Sequence, residues 1–105
     1  MKVAITSSNG KLIDTEFAKA KNIYVYELKG NKIQQIEKRE TNQFSINSPQ
    51  QSFSRNSFER VYETIKDCDV TYTQLIKDIP RQRCKLLGLK VEQFVGDINE
   101  ILAIF

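Results

Sequence analysis

The hydrophobic period of this chain changes part-way along, and that change restricts the fold more than any other feature. Up to Glu40 the apolar residues come in β-type runs. "KVAIT" (Lys2–Thr6) is short, apolar and β-branched, and "SSNG" closes it, which reads as a buried strand followed by a turn. "NIYVYEL" (residues 22–28) and "KIQQIEKRE" (residues 32–40) flank "KGNK", a hairpin signature with Gly30 and Asn31 at the turn. Two glutamines separate Ile33 from Ile36, so the alternation of the second arm is broken and a bulge or an exposed edge is expected there.

Beyond a polar stretch the period becomes helical. Residues 41–54, "TNQFSINSPQQSFS", have the composition of a surface loop, with Phe44 and Phe53 as anchors at its ends. "SRNSFERVYETIKDC" then places Phe58, Val61, Tyr62 and Ile65 on one helical face, with Ser57 as candidate N-cap. "DVTYTQLI" (residues 69–76) reads as a strand. Asp78 and Pro80 start a second helix, which Gly88 stops. "LKVEQFV" (residues 89–95) is a further strand, and Asp97 with Glu100 three residues later has the spacing of a capping box for "DINEILAIF". Three strands joined by short links, followed by alternating helices and strands, predict an α/β domain with a mixed sheet. One side of that sheet is antiparallel, the other parallel, and helices cover it.

Composition bounds the function. A chain of 105 residues has room for one core, so residues 1–105 are expected to form a single domain. No apolar stretch is long enough to span a bilayer and "MKVAITSSNG" is too short for a secretory signal, which makes the cytoplasm the expected compartment. A net charge of +3 gives mild attraction to anions, short of the dense basic face of a nucleic-acid binder, so nucleic acid ranks last among partners. The chain has no histidine, and its two cysteines, Cys68 and Cys84, form no CxxC pair, so free thiols are expected rather than zinc ligands or a disulfide. Without histidine there is no Ser-His or Cys-His pair, and neither a GxGxxG motif nor a P-loop occurs. The first strand carries no acid for a two-metal nuclease. No catalytic activity is expected.

Several stretches are similar to a known family. "MKVAITSSNGKLIDTEFAKAKNIYVYEL" resembles an opening in which a "KIAV"-type strand leads through a loop containing "HFGRA" to a strand ending in an acid. Here Glu16, Phe17, Ala18, Lys19 and Ala20 occupy that motif. "CDVTYTQLIKDIPRQRCKLLGLKVEQFVGDINEIL" resembles the second half, with "LLGLKV" and "DINEIL" in matching positions. The chain thus resembles the dinitrogenase iron-molybdenum cofactor biosynthesis family, the NifX-like domains also found at the C-terminus of NifB. The resemblance implies a ribonuclease-H-like three-layer domain whose five strands run in the order 3-2-1-4-5. It also implies a role in carrying iron-molybdenum cofactor or its iron-sulfur precursor. Two departures are visible: Glu16 replaces the family's loop histidine, and "QLIKDIPRQ" replaces its glycine-rich turn.

The candidate site lies between residues 7–20 and the start of the second helix. Ser7, Ser8 and Asn9 follow a central strand, where they either contact an anionic ligand or cap their own turn. Phe17 reads as a core residue that closes the loop. Cys84 is the one soft ligand nearby, either an iron ligand with its pKa lowered by Arg81, Arg83 and Lys85 or a packed, inert thiol. Cys68 lies between Asp67 and Asp69 and reads as structural. Lys77, Arg81, Arg83, Lys85 and Lys90 surround the second helix, either as an anion-holding group or as a solvated face. The expected binding set is Ser8, Asn9, Glu16, Lys19, Arg81 and Cys84, with Cys84 as metal ligand. The alternative is a protein-interaction module without cofactor. In that reading the "KIQQIEKRE" edge and the apolar "ILAIF" pair with a partner protein or a second copy of the chain.

Overall fold

A computed structural model describes residues 1–30, 32–41 and 54–104, with the side chains of 54–57 excepted. Seven strands are present in it: β1 (Lys2–Thr6), β2 (Leu12–Ile13), β3 (Asn22–Lys29), β4 (Lys32–Glu40), β5 (Val70–Thr73), β6 (Val91–Gln93) and β7 (Gly96–Asp97). The helices are α1 (Ser54–Ile65), α2 (Asp78–Leu86) and α3 (Ile98–Leu102), and Phe17–Lys19 form one 3-10 turn. The main sheet is five-stranded, ordered β4-β3-β1-β5-β6. β1 pairs antiparallel with β3 and parallel with β5, so the change of direction falls on the first strand.

Alternation along β1 divides the core. Ala4 faces α1 and α2, where it joins Phe17, Val25, Phe58, Val61, Ile65 and Cys84. Val3 and Ile5 face the other way, toward Ile13, Tyr24, Val70 and the Ile98 and Ile101 of α3. A central strand buried on both faces explains why "KVAIT" is apolar without a break. Two helices lie on one side of the sheet. α3 and the small β2-β7 pair lie on the other.

Local chemistry sets the boundaries and corrects several expectations. β4 does carry the bulge: Val25 pairs with Glu37 and Tyr26 with Gln35, leaving Ile36 as the extra residue on an exposed edge. α1 begins at Ser54, so Ser57 lies inside the helix and is not its N-cap. β5 ends at Thr73 rather than residue 76, because the Gln74 N–H turns to the Thr15 carbonyl and the Ile76 N–H to Gln93 Oε1. β6 is shorter than residues 89–95 because the end of α2 takes its first residue. The Leu89 N–H bonds the Cys84 carbonyl and the Gly88 N–H the Lys85 carbonyl, with Gly88 at φ +77°. This is a Schellman end, and the left-handed residue in it favours glycine. Asp97 caps α3 through the Asn99 N–H at 2.8 Å, at the residue where the sequence places the cap. The expectations for Asn31, Phe44 and Phe53 lie outside the described residues.

Candidate functional site

The two parallel strands β1 and β5 both end in threonine, and the loop between β1 and β3 is tied to those two hydroxyls. Thr6 Oγ1 lies 2.9 Å from the Thr15 carbonyl and 2.9 Å from Thr73 Oγ1, which in turn lies 3.0 Å from the same carbonyl. Two hydroxyl protons serve three contacts, so one proton is shared within the triangle. Both threonines are fully buried. The next residues extend the attachment: the Phe17 N–H donates to the Leu75 carbonyl at 2.8 Å, beside a bridge between Glu16 and Leu75. The Phe17 ring drops into the core with its centroid 6.0 Å from that of Phe58. The loop is therefore a strap across the carboxyl ends of the parallel strands, where open α/β sheets place their ligands. Phe17 is the packed residue the sequence reading expected.

The first half of the strap is a turn held largely by its own side chains and joined to β7 through Leu12 and Ile13. Ser8 donates its N–H and hydroxyl to Asp14, the N–H bond measuring 2.9 Å, and Asn9 Oδ1 accepts the N–H groups of Lys11 and Leu12. The bonds from Ser8 hold the Asp14 carboxyl below the usual carboxylate range. Gly10 completes the turn at φ +76°, and a Cβ there would meet the Tyr24 ring at 2.9 Å. Glycine is required on both counts.

The second half carries the charge. The Glu16 side chain is only 12% exposed and lies 3.8 Å from both Lys19 Nζ and Lys77 Nζ, whose side chains are largely exposed. Lys77 is the residue before α2, so the strap and the helix start meet here. Arg81 is one turn further on. Its Nη2 donates to Gln93 Oε1 at 2.7 Å, and Gln93 also holds the Ile76 N–H. Of the expected set, Glu16 and Lys19 thus sit together with Lys77. Arg81 is anchored to β6, and Ser8 and Asn9 bond within their own turn.

Cys84 lies on the core side of α2, 2% exposed. Burial pushes its thiol up to about 11 and outweighs the opposing effect of Arg81, so the expected lowering by basic neighbours is reversed. Arg83 instead lies over the Phe58 ring, 5.6 Å from its centroid. Cys68 is likewise raised to about 11, by burial first and then by the Asp67 charge. Among the described residues no group of three or more Cys, Asp or Glu side chains could hold a metal ion. Thr6, Thr15, Thr73, Asp14 and Gln93 are the residues that sequence reasoning missed. The signal for Thr6 and Thr73 is a threonine closing each of two β-type runs, "KVAIT" and "VTYT"; no sequence signal marks Thr15, Asp14 or Gln93.

Among the described residues, two grooves lie along α2. One of about 550 Å³ lies between α1 and α2 and is lined by Phe58, Tyr62, Arg83, Leu86 and Leu87 among others. Another of about 340 Å³ runs between α2 and the outer edge of β6.

The sequence matches the family described as dinitrogenase iron-molybdenum cofactor over residues 1–105. The chain belongs to that family. Solved structures share the fold. The crystal structure of PH0822 is 20% identical at a TM-score of 0.63, covering 91% of this chain and 79% of that one. A candidate dinitrogenase from Methanocaldococcus jannaschii is 15% identical, with a TM-score of 0.56 over 95% of this chain and 81% of its own. A candidate NifB protein from Thermotoga, described as a member of the DUF35 family, is 16% identical at 0.55, over 91% and 78%. No curated protein matches the chain. Among the described residues no helix is long and apolar enough to cross a membrane.

Proposed function

We propose that this member of the family is a non-catalytic domain of ribonuclease-H-like arrangement that carries iron-molybdenum cofactor or its iron-sulfur precursor, held chiefly as an anion. The observation that carries the reading is the junction of strap and α2, where Lys19 and Lys77 flank Glu16 at the carboxyl ends of the parallel strands. Cations at that mouth suit an anionic cargo, and Arg81, Ser8 and Asn9 lie on the same strap and helix. The side chains present do not suit direct ligation of iron. The family's histidine position holds Glu16, and Cys84 would have to leave the core and lose its proton to bind a metal.

Anaerobic titration of the protein with isolated iron-molybdenum cofactor and with an iron-sulfur cluster tests this, read by absorbance and metal content. Stoichiometric binding that is lost in Lys19→Glu/Lys77→Glu and kept in Cys84→Ala is the expected result. Loss in Cys84→Ala alone would replace charge capture by thiolate ligation. Failure of both cargoes to bind would leave the second reading, a protein-interaction domain that keeps the fold without cofactor. That reading is favoured by a strap whose Ser8 and Asn9 side chains are already engaged within it.

A further inference from the structure

The sheet has two outer strands, and they are protected unequally. β4 is long, but a bulge interrupts it and Lys32 and Lys38 stand along it, both devices that discourage strand pairing. β6 is protected by its three-residue length and has no bulge in its pairing with β5. The Thr71 N–H bonds the Lys90 carbonyl and the Phe94 N–H the Thr73 carbonyl, so residues 90, 92 and 94 turn their backbone groups inward. The intervening Val91 and Gln93 therefore present N–H and C=O groups to the open side, as strand geometry requires. Beside that edge runs the 340 Å³ groove, with Leu89, Val91 and Cys84 along it and Arg81, Lys85 and Lys90 among its lining residues. Three cations stand there against one carboxylate, Glu92. Arg81 is held in place by Gln93 of the same strand.

We propose that this edge is a docking site for an extended, acidic segment of a partner protein, which adds to β6 as a sixth strand of the main sheet. The backbone groups of Val91 and Gln93 supply the hydrogen bonds. Leu89 and Val91 receive alternate apolar side chains, and Arg81, Lys85 and Lys90 meet the acidic ones, the usual division of labour in strand addition. Arg81 is shared with the cargo reading, but the hydrogen-bonding groups of β6 and the Lys85 and Lys90 that the test changes play no part in it.

The test uses the 15N-labelled protein and a capped heptapeptide of alternating Glu and Val. A second copy of the peptide is N-methylated at alternate amides, and citrate serves as a small-anion control. The Val91 and Gln93 amides should shift and gain protection from hydrogen exchange. The N-methylated peptide should fail to bind, and Lys85→Glu/Lys90→Glu should weaken binding by about tenfold or more, while circular dichroism shows the variant folded. Equal binding of the N-methylated peptide would reduce the effect to charge attraction and overturn strand addition. So would the same shifts with citrate alone, shifts confined to β4, or no binding at millimolar peptide.

Discussion

The β1-β5 pair is closed by different chemistry at its two ends. At the carboxyl end the closure is neutral: the Thr6 and Thr73 hydroxyls donate to the Thr15 carbonyl, and Phe17 pins the strap by packing. At the amino end it is ionic. The Lys2 N–H donates to Asp69 at 2.7 Å, Lys2 Nζ reaches Asp67 at 3.3 Å, and Arg39 from β4 grips Asp67 with both terminal nitrogens while also bonding the Thr64 carbonyl. Arg39 and Lys2 hold the Asp67 carboxyl far below its usual range. The difference has a functional consequence. Neutral closure at the carboxyl end leaves Lys19 and Lys77 at the mouth sharing the Glu16 carboxylate, whereas Lys2 and Arg39 at the amino end are paired with acids.

The largest effect that can break this comparison is Phe17→Ala. Truncating a fully buried ring costs about 3–5 kcal/mol, read as a lower urea midpoint, and the Phe17 and Gln74 amides should exchange faster as the strap lifts. A smaller loss would mean the strap is held by its hydrogen bonds instead. Thr6→Val with Thr73→Val comes next, at about 1–3 kcal/mol for a buried carbonyl deprived of its partners. That cost should be the same at pH 7 and at pH 3, since no group in the triangle titrates. A pH-dependent cost would erase the contrast between the ends.

Asp67→Asn follows, with about 1 kcal/mol at pH 7, a figure discounted because the Asp67 side chain is 46% exposed. Its sign with pH is set by linkage. Asp67 has a folded pKa below its unfolded one, so its stabilisation is present above the ordinary aspartate range and fades as pH falls through the folded value. The gap between wild type and Asp67→Asn should therefore begin to narrow as pH falls below the ordinary aspartate pKa and close only as it passes through the folded value, as followed by acid unfolding. A gap that persists at low pH would show that the pair acts by packing.

The smallest effect is on reactivity rather than stability. With both thiols near 11, alkylation of Cys68 and Cys84 at pH 8 should be at least about tenfold slower in the native protein than in denaturant. Fast native labelling of Cys84 would show that α2 opens and would revive thiolate ligation.

Much of the fold was legible locally. The hairpin, its bulge and the helix face of Phe58, Val61 and Ile65 follow from side-chain period, and the stop at Gly88 and the cap at Asp97 follow from backbone chemistry. The lengths of β5 and β6 were not legible, because they are set by competition: distant carbonyls and a glutamine take N–H groups that would otherwise extend the ladders. The site was legible only as a region. Glu16 and Lys19 could be located through a family likeness, but Lys77 joins them only because the strap bridges to Leu75, far along the chain.

By itself, then, the sequence determined the order of the five main-sheet strands and the three helices, the buried face of α1 and the lack of a histidine for metal binding or acid-base work, but neither the β2-β7 pair nor the exposure of Leu86 and Leu87 on α2. Tertiary structure decided what most polar groups of the site do. A serine, an asparagine or a cysteine has the same inventory of bonds wherever it stands, and its role depends on which partners the fold brings within about 3 Å. Here the fold gave Ser8 to Asp14, Asn9 to its own turn and Cys84 to the core, and left the lysines at the mouth facing outward.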